Sequence, residues 1–588
     1  MRKTTGDSPP SQSRFVLKIA LTVIALAVIG SIIILSWVPP VSRDALTHHL
    51  AVPKLYIQQG GIHEIPSIKF SYYPMNLDLL YMIPLYFGND ILPKYIHFAF
   101  GLLTAWLIFR YLRKRLDAVW AGGGALFFLS LPVIVKLSIT VYVDLGLVFF
   151  STAGLMALFK WIESRFKLRY LILSAISCGL ALGTKYNGLI VLFLLSAFVP
   201  LLYSQRAKRG PARKEDRLGC GSLKRQMRAI GSGILFCLIA LTVFSPWMIR
   251  NYIWKANPVY PLYNNYFNPT VEIPAPQTGQ RAQDDSDSLT SSRGKKGESG
   301  WGSFAVRKVI YKEAWWEIAL IPVRIFFQGR DDDPRYFDGK LNPFLFLLPI
   351  FAFFNRKSAS DTVSVEKKVL LWFAILFVLY AYLKTGMRIR YITPAVPPLV
   401  ILATFGFHRI HYLLGWKWFQ GKKPLAHGVT IALAALVLVI NGFYIIHQFN
   451  VVDPFSYIGG RLGRDAYIDR YRPEHAVIQY ANRHLTVDTK LLALFLGNRR
   501  YYSDRELIFG INLFRHIVKK STTAQAARQE LQSRGITHLL IRYDLFNQWA
   551  EKQFTAQEKM RLNTFFTMDA RQVLSQKGHG LFQLANPP

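Results

Sequence analysis

The sequence predicts a mainly α-helical, polytopic membrane protein of about eleven transmembrane helices, followed by a small extracytoplasmic α/β domain. Three observations predict it. Of the 588 residues, 51% are apolar, where a soluble chain of this length would divide into several domains with few long apolar runs. The apolar residues gather into runs of bilayer-spanning length, ~20 residues, through the first three quarters of the chain. The formal charge of +36 sits largely in short segments between those runs. That is the positive-inside pattern rather than the basic face of a nucleic-acid-binding domain, and no nucleic-acid partner is expected.

By length and apolarity the spans are 15–38, 91–110, 118–137, 144–161, 170–184, 188–204, 229–249, 341–355, 369–384, 391–412 and 427–447. The fifth and eighth are short. The first lacks a small-residue cleavage site and reads as a retained span. Basic clusters fall on one side of this arrangement. They are Arg2, Lys3 and Arg14; Arg110, Arg113, Lys114 and Arg115; Lys160, Arg165, Lys167 and Arg169; the 206–228 loop; Arg356, Lys357, Lys367 and Lys368; and Lys417, Lys422 and Lys423. Their agreement places the N-terminus in the cytoplasm and puts Asp44, the 250–340 loop and the C-terminal region outside. The cysteines, Cys178, Cys220 and Cys237, match no zinc or disulfide framework.

The membrane domain is expected over 1–447. Its first outer loop, 39–90, should carry an amphipathic helix along the membrane at Leu50–Tyr56. The 250–340 loop should be disordered over its polar Gln277–Gly300 stretch and interfacial over Phe304–Phe327, where Trp315, Trp316 and Phe326 mix with charges. Residues 448–588 read as the α/β domain. Strands are expected at Leu491–Leu496 and His538–Tyr543, and helices at Pro473–His484 and Thr523–Ser533.

Ionisable residues at the outer membrane surface are the candidate site. Asp44 directly follows the first span, and a carboxylate there is placed to act as a general base on a hydroxyl; its ordinary alternative is a helix N-cap. His48 lies one helical turn on and shares its face, with His49 rotated away. Asp144, at the next outward turn, can meet Asp44 at one membrane level; its ordinary alternative is a dipole-favoured helix start. Asp44, His48 and Asp144 are also the candidates for holding a divalent cation, with backbone-bonded histidine the plainer reading. Lys185 lies in a tight outward turn where it must either snorkel or meet an anion. Arg388 and Arg390, ahead of Tyr391, are outer cations against the positive-inside trend, suited to bidentate phosphate binding or to headgroup anchoring. Arg250 is a further outward cation in a Pro- and aromatic-rich exit from the seventh span. No nucleotide-type Gly-rich loop, His-Glu-x-x-His or Gly-x-Ser-x-Gly motif occurs.

Asp44-Ala45-Leu46-Thr47-His48-His49-Leu50-Ala51-Val52-Pro53-Lys54-Leu55-Tyr56, Gly60, Gly61 and Tyr73-Pro74 resemble the first outer loop of the GT-C integral-membrane glycosyltransferases. Asp144, Gly183–Gly188, Trp247–Leu262, Phe337-Asp338-Gly339, Arg388–Pro398 and Gly535–Leu540 resemble later segments of the same superfamily, in the same order. Families 39 and 83, the protein mannosyltransferase and aminoarabinose transferase types, are the nearest in pattern. A lone Asp44 stands where protein mannosyltransferases commonly carry an Asp-Glu pair. The resemblance implies a polyprenyl-phosphate-linked sugar as donor and an extracytoplasmic glycan, lipid or protein as acceptor, with membrane lipids around the spans. It implies inversion with Asp44 as base, Asp144 positioning the acceptor or a cation, and Arg388, Arg390 and Lys185 on the phosphate. A polymerase or ligase of larger lipid-linked glycans is the alternative within the superfamily. A flippase for lipid-linked sugars is the alternative outside it, but such transporters carry repeats and midplane charges, whereas this chain shows no repeat and collects its charges on one face.

Overall fold

The structure is a computed structural model that describes residues 11–207, 220–269, 303–354, 361–384, 387–414 and 423–585. The polar stretch Gln277–Gly300, much of the basic 206–228 loop, and Arg2, Lys3, Arg356, Lys357, Lys417 and Lys422 lie outside the described residues.

The molecule is mainly helical. Among the described residues seven helices are long and apolar enough to cross a bilayer: Arg14–Ser36, Leu92–Arg115, Asp144–Glu163, Gly188–Gln205, Leu223–Lys255, Ile389–Leu413 and Leu425–Val452. Helices Ala118–Ser130 and Pro132–Ser138 meet at 63° and make an eighth if taken as one broken span. The break follows from Pro132, whose ring forces the preceding Leu131 out of the helical region, to ψ 134°.

The expected count of eleven is therefore not reached by these criteria. Leu168–Thr184 has 17 residues. Asp361–Lys384 is long enough but bears Glu366, Lys367 and Lys368 near its start. The predicted span 341–355 is an eight-residue helix, Phe344–Phe351, rising only ~12 Å. It is pressed against Val396–Leu413 at Gly406, where an added Cβ would lie 1.9 Å from the Leu348 carbonyl oxygen, so only glycine permits the approach.

The first loop does not simply lie along lipid. Helix Ala51–Gln58 buries Val52 and Tyr56. Its Lys54 donates to the carbonyls of Tyr501 (3.0 Å) and Ser503 (3.2 Å) and to Asp504 (2.8 Å). In the 250–340 loop the expected interfacial stretch is three short helices, Ser303–Val309, Trp315–Ala319 and Ile321–Arg324. Trp315 and Trp316 stand out from it, 64% and 66% exposed.

The C-terminal region is a small sheet domain. Strands β1 (Lys490–Leu494), β2 (Glu506–Phe509), β3 (His538–Arg542), β4 (Ala570–Gln576) and β5 (His579–Leu584) run in the order β2-β1-β3-β5-β4. The first three are parallel, and β5 is antiparallel to both β3 and β4. Leu492 and Leu494 of β1 face Phe514, Leu531 and Phe546, while Leu491 and Ala493 face Val477 and Ile478. Burial on both faces explains an apolar run where a one-sided strand would alternate. The domain is fastened to the first loop by its 500–502 turn. The amides of Arg500 and Tyr501 both donate to the Leu46 carbonyl at 3.1 Å, and the Tyr502 hydroxyl donates to the Pro40 carbonyl at 2.8 Å.

Candidate active site

A cavity of about 920 Å³ lies between the first loop, the end of the helical bundle and the C-terminal sheet domain. Asp44, Arg388 and Arg390 line it. Asp44 precedes a π-helical turn, Ala45–His49, and its side chain makes no capping bond there. It forms an ion pair with Arg390 instead. Arg390 enters on the 3-10 turn Ile389–Ala395, which Pro394 and the following prolines keep from extending backwards as α-helix. Its guanidinium sits 5.4 Å from the ring centres of both Tyr142 and Tyr391, and its buried Nε has no hydrogen-bond partner. Burial would raise the Asp44 carboxyl. The Arg390 guanidinium outweighs burial and holds it well below the usual carboxylate range.

Asp144 opens helix Asp144–Glu163 and is 1% exposed. Lys185 donates to its Oδ1 at 2.7 Å, and the Lys185 Nζ lies 5.5 Å from the Tyr391 ring centre. The chain Asp44–Arg390–Tyr391–Lys185–Asp144 is therefore contiguous, with its first two members on the cavity and the others behind them. Arg388 lies 3.6 Å from Asp338, which reaches the cavity from a turn with left-handed Phe337 and Asp338.

The histidines differ from expectation. The π turn closes through the Leu50 amide to the Ala45 carbonyl, 2.9 Å, and its extra residue per turn carries both rings inward. His49, expected to point away, is buried and its Nδ1 lies 2.7 Å from Asp78 Oδ1. His48 stacks on Phe70 at 4.3 Å and bonds Thr47 Oγ1 at 2.8 Å. Burial, then the neighbouring His49, pushes its imidazole well below the ordinary value, toward the neutral form.

Arg250 belongs to a separate compartment. It bonds the Tyr73 carbonyl (3.1 Å) and Asn251 (2.9 Å) and lies over Trp247 and Trp254. Its Nη1 and the nearby Tyr56 hydroxyl are buried without hydrogen-bond partners. As cation ligands, the three candidates do not fit. Asp44 and Asp144 are each turned to a basic side chain, and among the described residues no group of three His, Cys, Asp or Glu is placed to hold a metal.

Tyr142, Asp78, Asp338 and the C-terminal wall of the cavity are site residues that sequence reasoning missed. Only Asp338 carried a signal, in Phe337-Asp338-Gly339.

Residues 85–214 match the family model described as dolichyl-phosphate-mannose-protein mannosyltransferase. No curated protein matches the chain. The fold is similar to the crystal structure of ArnT from Cupriavidus metallidurans bound to undecaprenyl phosphate. That match has 12% identity and a TM-score of 0.54, and covers 97% of this chain and 99% of that one. The apo ArnT structure matches at 13% identity and a TM-score of 0.54, covering 98% and 100%. The apo oligosaccharyltransferase of Archaeoglobus fulgidus matches at 11% identity and a TM-score of 0.50, covering 90% and 70%. At these identities the likeness is one of fold, and it agrees with the fold that the resemblance read from the sequence implies.

Proposed function

We propose that the chain is a multi-pass membrane glycosyltransferase that moves a sugar from a polyprenyl-phosphate carrier to an extracytoplasmic acceptor. The observation that carries this reading is the ion pair of Asp44 with Arg390 at the mouth of a large cavity, backed by Lys185 and Asp144. A carboxylate and a set of cations on one side of a cavity are the two parts that glycosyl transfer from a phosphate needs.

The steps follow from those parts. The donor phosphate is drawn to Arg390, Arg388 and Lys185, and competes with Asp44 for the Arg390 guanidinium. Losing that partner raises the basicity of Asp44, so donor binding prepares the base. Asp44 then takes the proton of the acceptor hydroxyl. The acceptor oxygen bonds to C1 of the sugar as the bond from C1 to the phosphate oxygen breaks, with inversion. The cations hold the charge that develops on the departing polyprenyl phosphate, which stabilises the transition state. Asp144 keeps Lys185 in place. Arg250, with an unused Nη1 among aromatic rings, is a second place for the carrier headgroup.

The test is sugar transfer by the purified chain from a panel of polyprenyl-phosphate sugars, with Asp44→Asn beside it. Release of polyprenyl phosphate by the wild type and not by the variant supports the reading. No release with any donor, together with carrier movement across proteoliposomes that survives Asp44→Asn, would make the chain a flippase.

A further inference from the structure

The C-terminal wall of the cavity is built as a ligand site. The lining residues there follow the carboxyl ends of three parallel strands: Phe495 to Arg499 after β1, Phe509 to Asn512 after β2, and Arg542 with Leu545 at β3. Ligands of open α/β sheets bind outside such ends, where the strand connections part to opposite sides. The order β2-β1-β3 puts that parting at β1, because the chain leaves β1 for β2 on one flank and returns to β3 on the other. Helix Tyr543–Gln553 adds Leu545, Gln548, Trp549 and Lys552, whose i, i+3, i+4, i+7 spacing makes one face.

Among the described residues, the charged side chains that line this wall are all basic. Ten Lys and Arg side chains line the cavity against three aspartates, Asp44, Asp332 and Asp338, all on the membrane side. Among the described residues no Asp or Glu lines the C-terminal side. Two of the arginines there are held by acids that do not line the cavity. Arg499 bonds Glu474 (2.5 Å) and Arg542 bonds Asp544 (2.8 Å). Arg515 donates to the Gln553 amide oxygen (3.2 Å), and Arg472 to the Val41 carbonyl (2.6 Å). Burial and then the adjacent Arg499 guanidinium lower the Arg472 value, so like charges have been brought together. A concave, low-dielectric surface of one sign concentrates the opposite charge.

We propose that this wall binds an anionic carbohydrate acceptor, one bearing a carboxylate or a phosphate, with Trp549 as the face on which a sugar ring stacks. The proposal rests on the glycosyl-transfer reading and divides the cations by task. Arg390, Arg388 and Lys185 serve the leaving phosphate, and Arg515, Lys552 and their neighbours select the acceptor.

The test is binding of labelled probes to the full chain in phosphatidylcholine nanodiscs, without donor. The probes are a tetrasaccharide of alternating glucuronic acid and N-acetylglucosamine, the same tetrasaccharide with its carboxyls reduced, and a bisphosphorylated glucosamine disaccharide. An anionic probe should bind about tenfold or more tighter than the reduced one. Arg515→Gln and Lys552→Gln should each remove much of that difference, and Trp549→Ala should weaken charged and reduced probes alike. Preference between the two anionic probes distinguishes carboxylate from phosphate as the recognised group. Equal wild-type affinity for anionic and reduced probes would overturn the proposal, and that comparison needs no variant to fold. Anion-selective binding by a wild type that releases no polyprenyl phosphate would instead sink the transferase reading and leave the anion site standing.

Discussion

Helix Asp144–Glu163 begins and ends in a buried ion network, and the two are built differently. At its far end Arg115 bonds both oxygens of Glu366 at 2.6 Å, bonds Glu163 at 2.9 Å and stacks on Tyr111 at 3.8 Å, while the Tyr111 hydroxyl donates to Glu366 at 2.9 Å. Glu366 is 1% exposed, and none of these side chains lines the large cavity. Near the Asp144 end the Asp44–Arg390 pair lines the cavity, with Lys185 and Asp144 behind it, and a buried Arg390 nitrogen has no partner. A buried ion pair therefore does not mark a functional site. The proposed site differs in having an ion pair with an unspent donor beside an open volume. The closed network joins three helices.

The sharpest way to break this contrast is to neutralise one acid at each end. Asp44→Asn should lower transfer by ~10²–10⁴-fold and lower thermal stability in detergent less than Glu366→Gln does, because the Arg390 it leaves behind lines the cavity. Glu366→Gln should do the reverse. It removes the more buried of the two carboxylates on Arg115 and leaves Glu163, which costs ~1–3 kcal/mol, while the folded fraction turns over at near wild-type rate. Unfolding curves run beside polyprenyl-phosphate release decide it. If both variants lose activity per folded molecule, the two ends do not differ in kind.

A second prediction, smaller at neutral pH, concerns acidity. In the wild type Asp44 is held below the usual carboxylate range, so it stays ionised as pH falls and the acid limb of kcat/KM lies low. Arg390→Gln leaves burial as the largest influence, and burial raises the carboxyl. The acid limb should then move to higher pH, alongside weaker donor binding. Stability follows the same sign: a depressed carboxyl stabilises the fold above its unfolded value, and that contribution fades as pH falls through the folded value. The variant lacks it. Superimposable pH profiles for wild type and variant would assign the base to another group.

How far the two regions were legible in sequence follows from what each depends on. Asp44 and Arg390 stand out because each breaks a local rule, an acid just past a span and a cation on the side where the basic clusters do not gather. Lys185 and Asp144 were each visible for the same reason, though not as partners. His49 was misplaced because a single π turn shifts the register by one residue, which no periodicity signals. Phe344–Phe351 was overread because a run with Pro343 and Pro349 is as apolar as a span but cannot run on as one. The cavity's C-terminal wall was invisible because it meets Asp44 only through long-range contacts such as Arg500 and Tyr501 to Leu46. The Arg115 network was hidden for the same reason, its residues reading as ordinary inside charges.

The finest test of the contrast is the coupling within Asp144–Lys185. If Lys185 serves the donor phosphate and Asp144 holds it in place, the two act through one group, so Lys185→Met, Asp144→Asn and the double variant should lose similar amounts of donor affinity. The coupling on kcat/KM should be on the order of 1–3 kcal/mol, typical of contacting residues in one network. A purely structural pair predicts something else: either single variant leaves an unpaired buried group and lowers the unfolding midpoint, and the double variant recovers much of it. Donor affinity then would not track the cycle. Measuring both quantities on the same four proteins therefore separates a pair that serves the cavity from one that, like Arg115–Glu366, only joins helices.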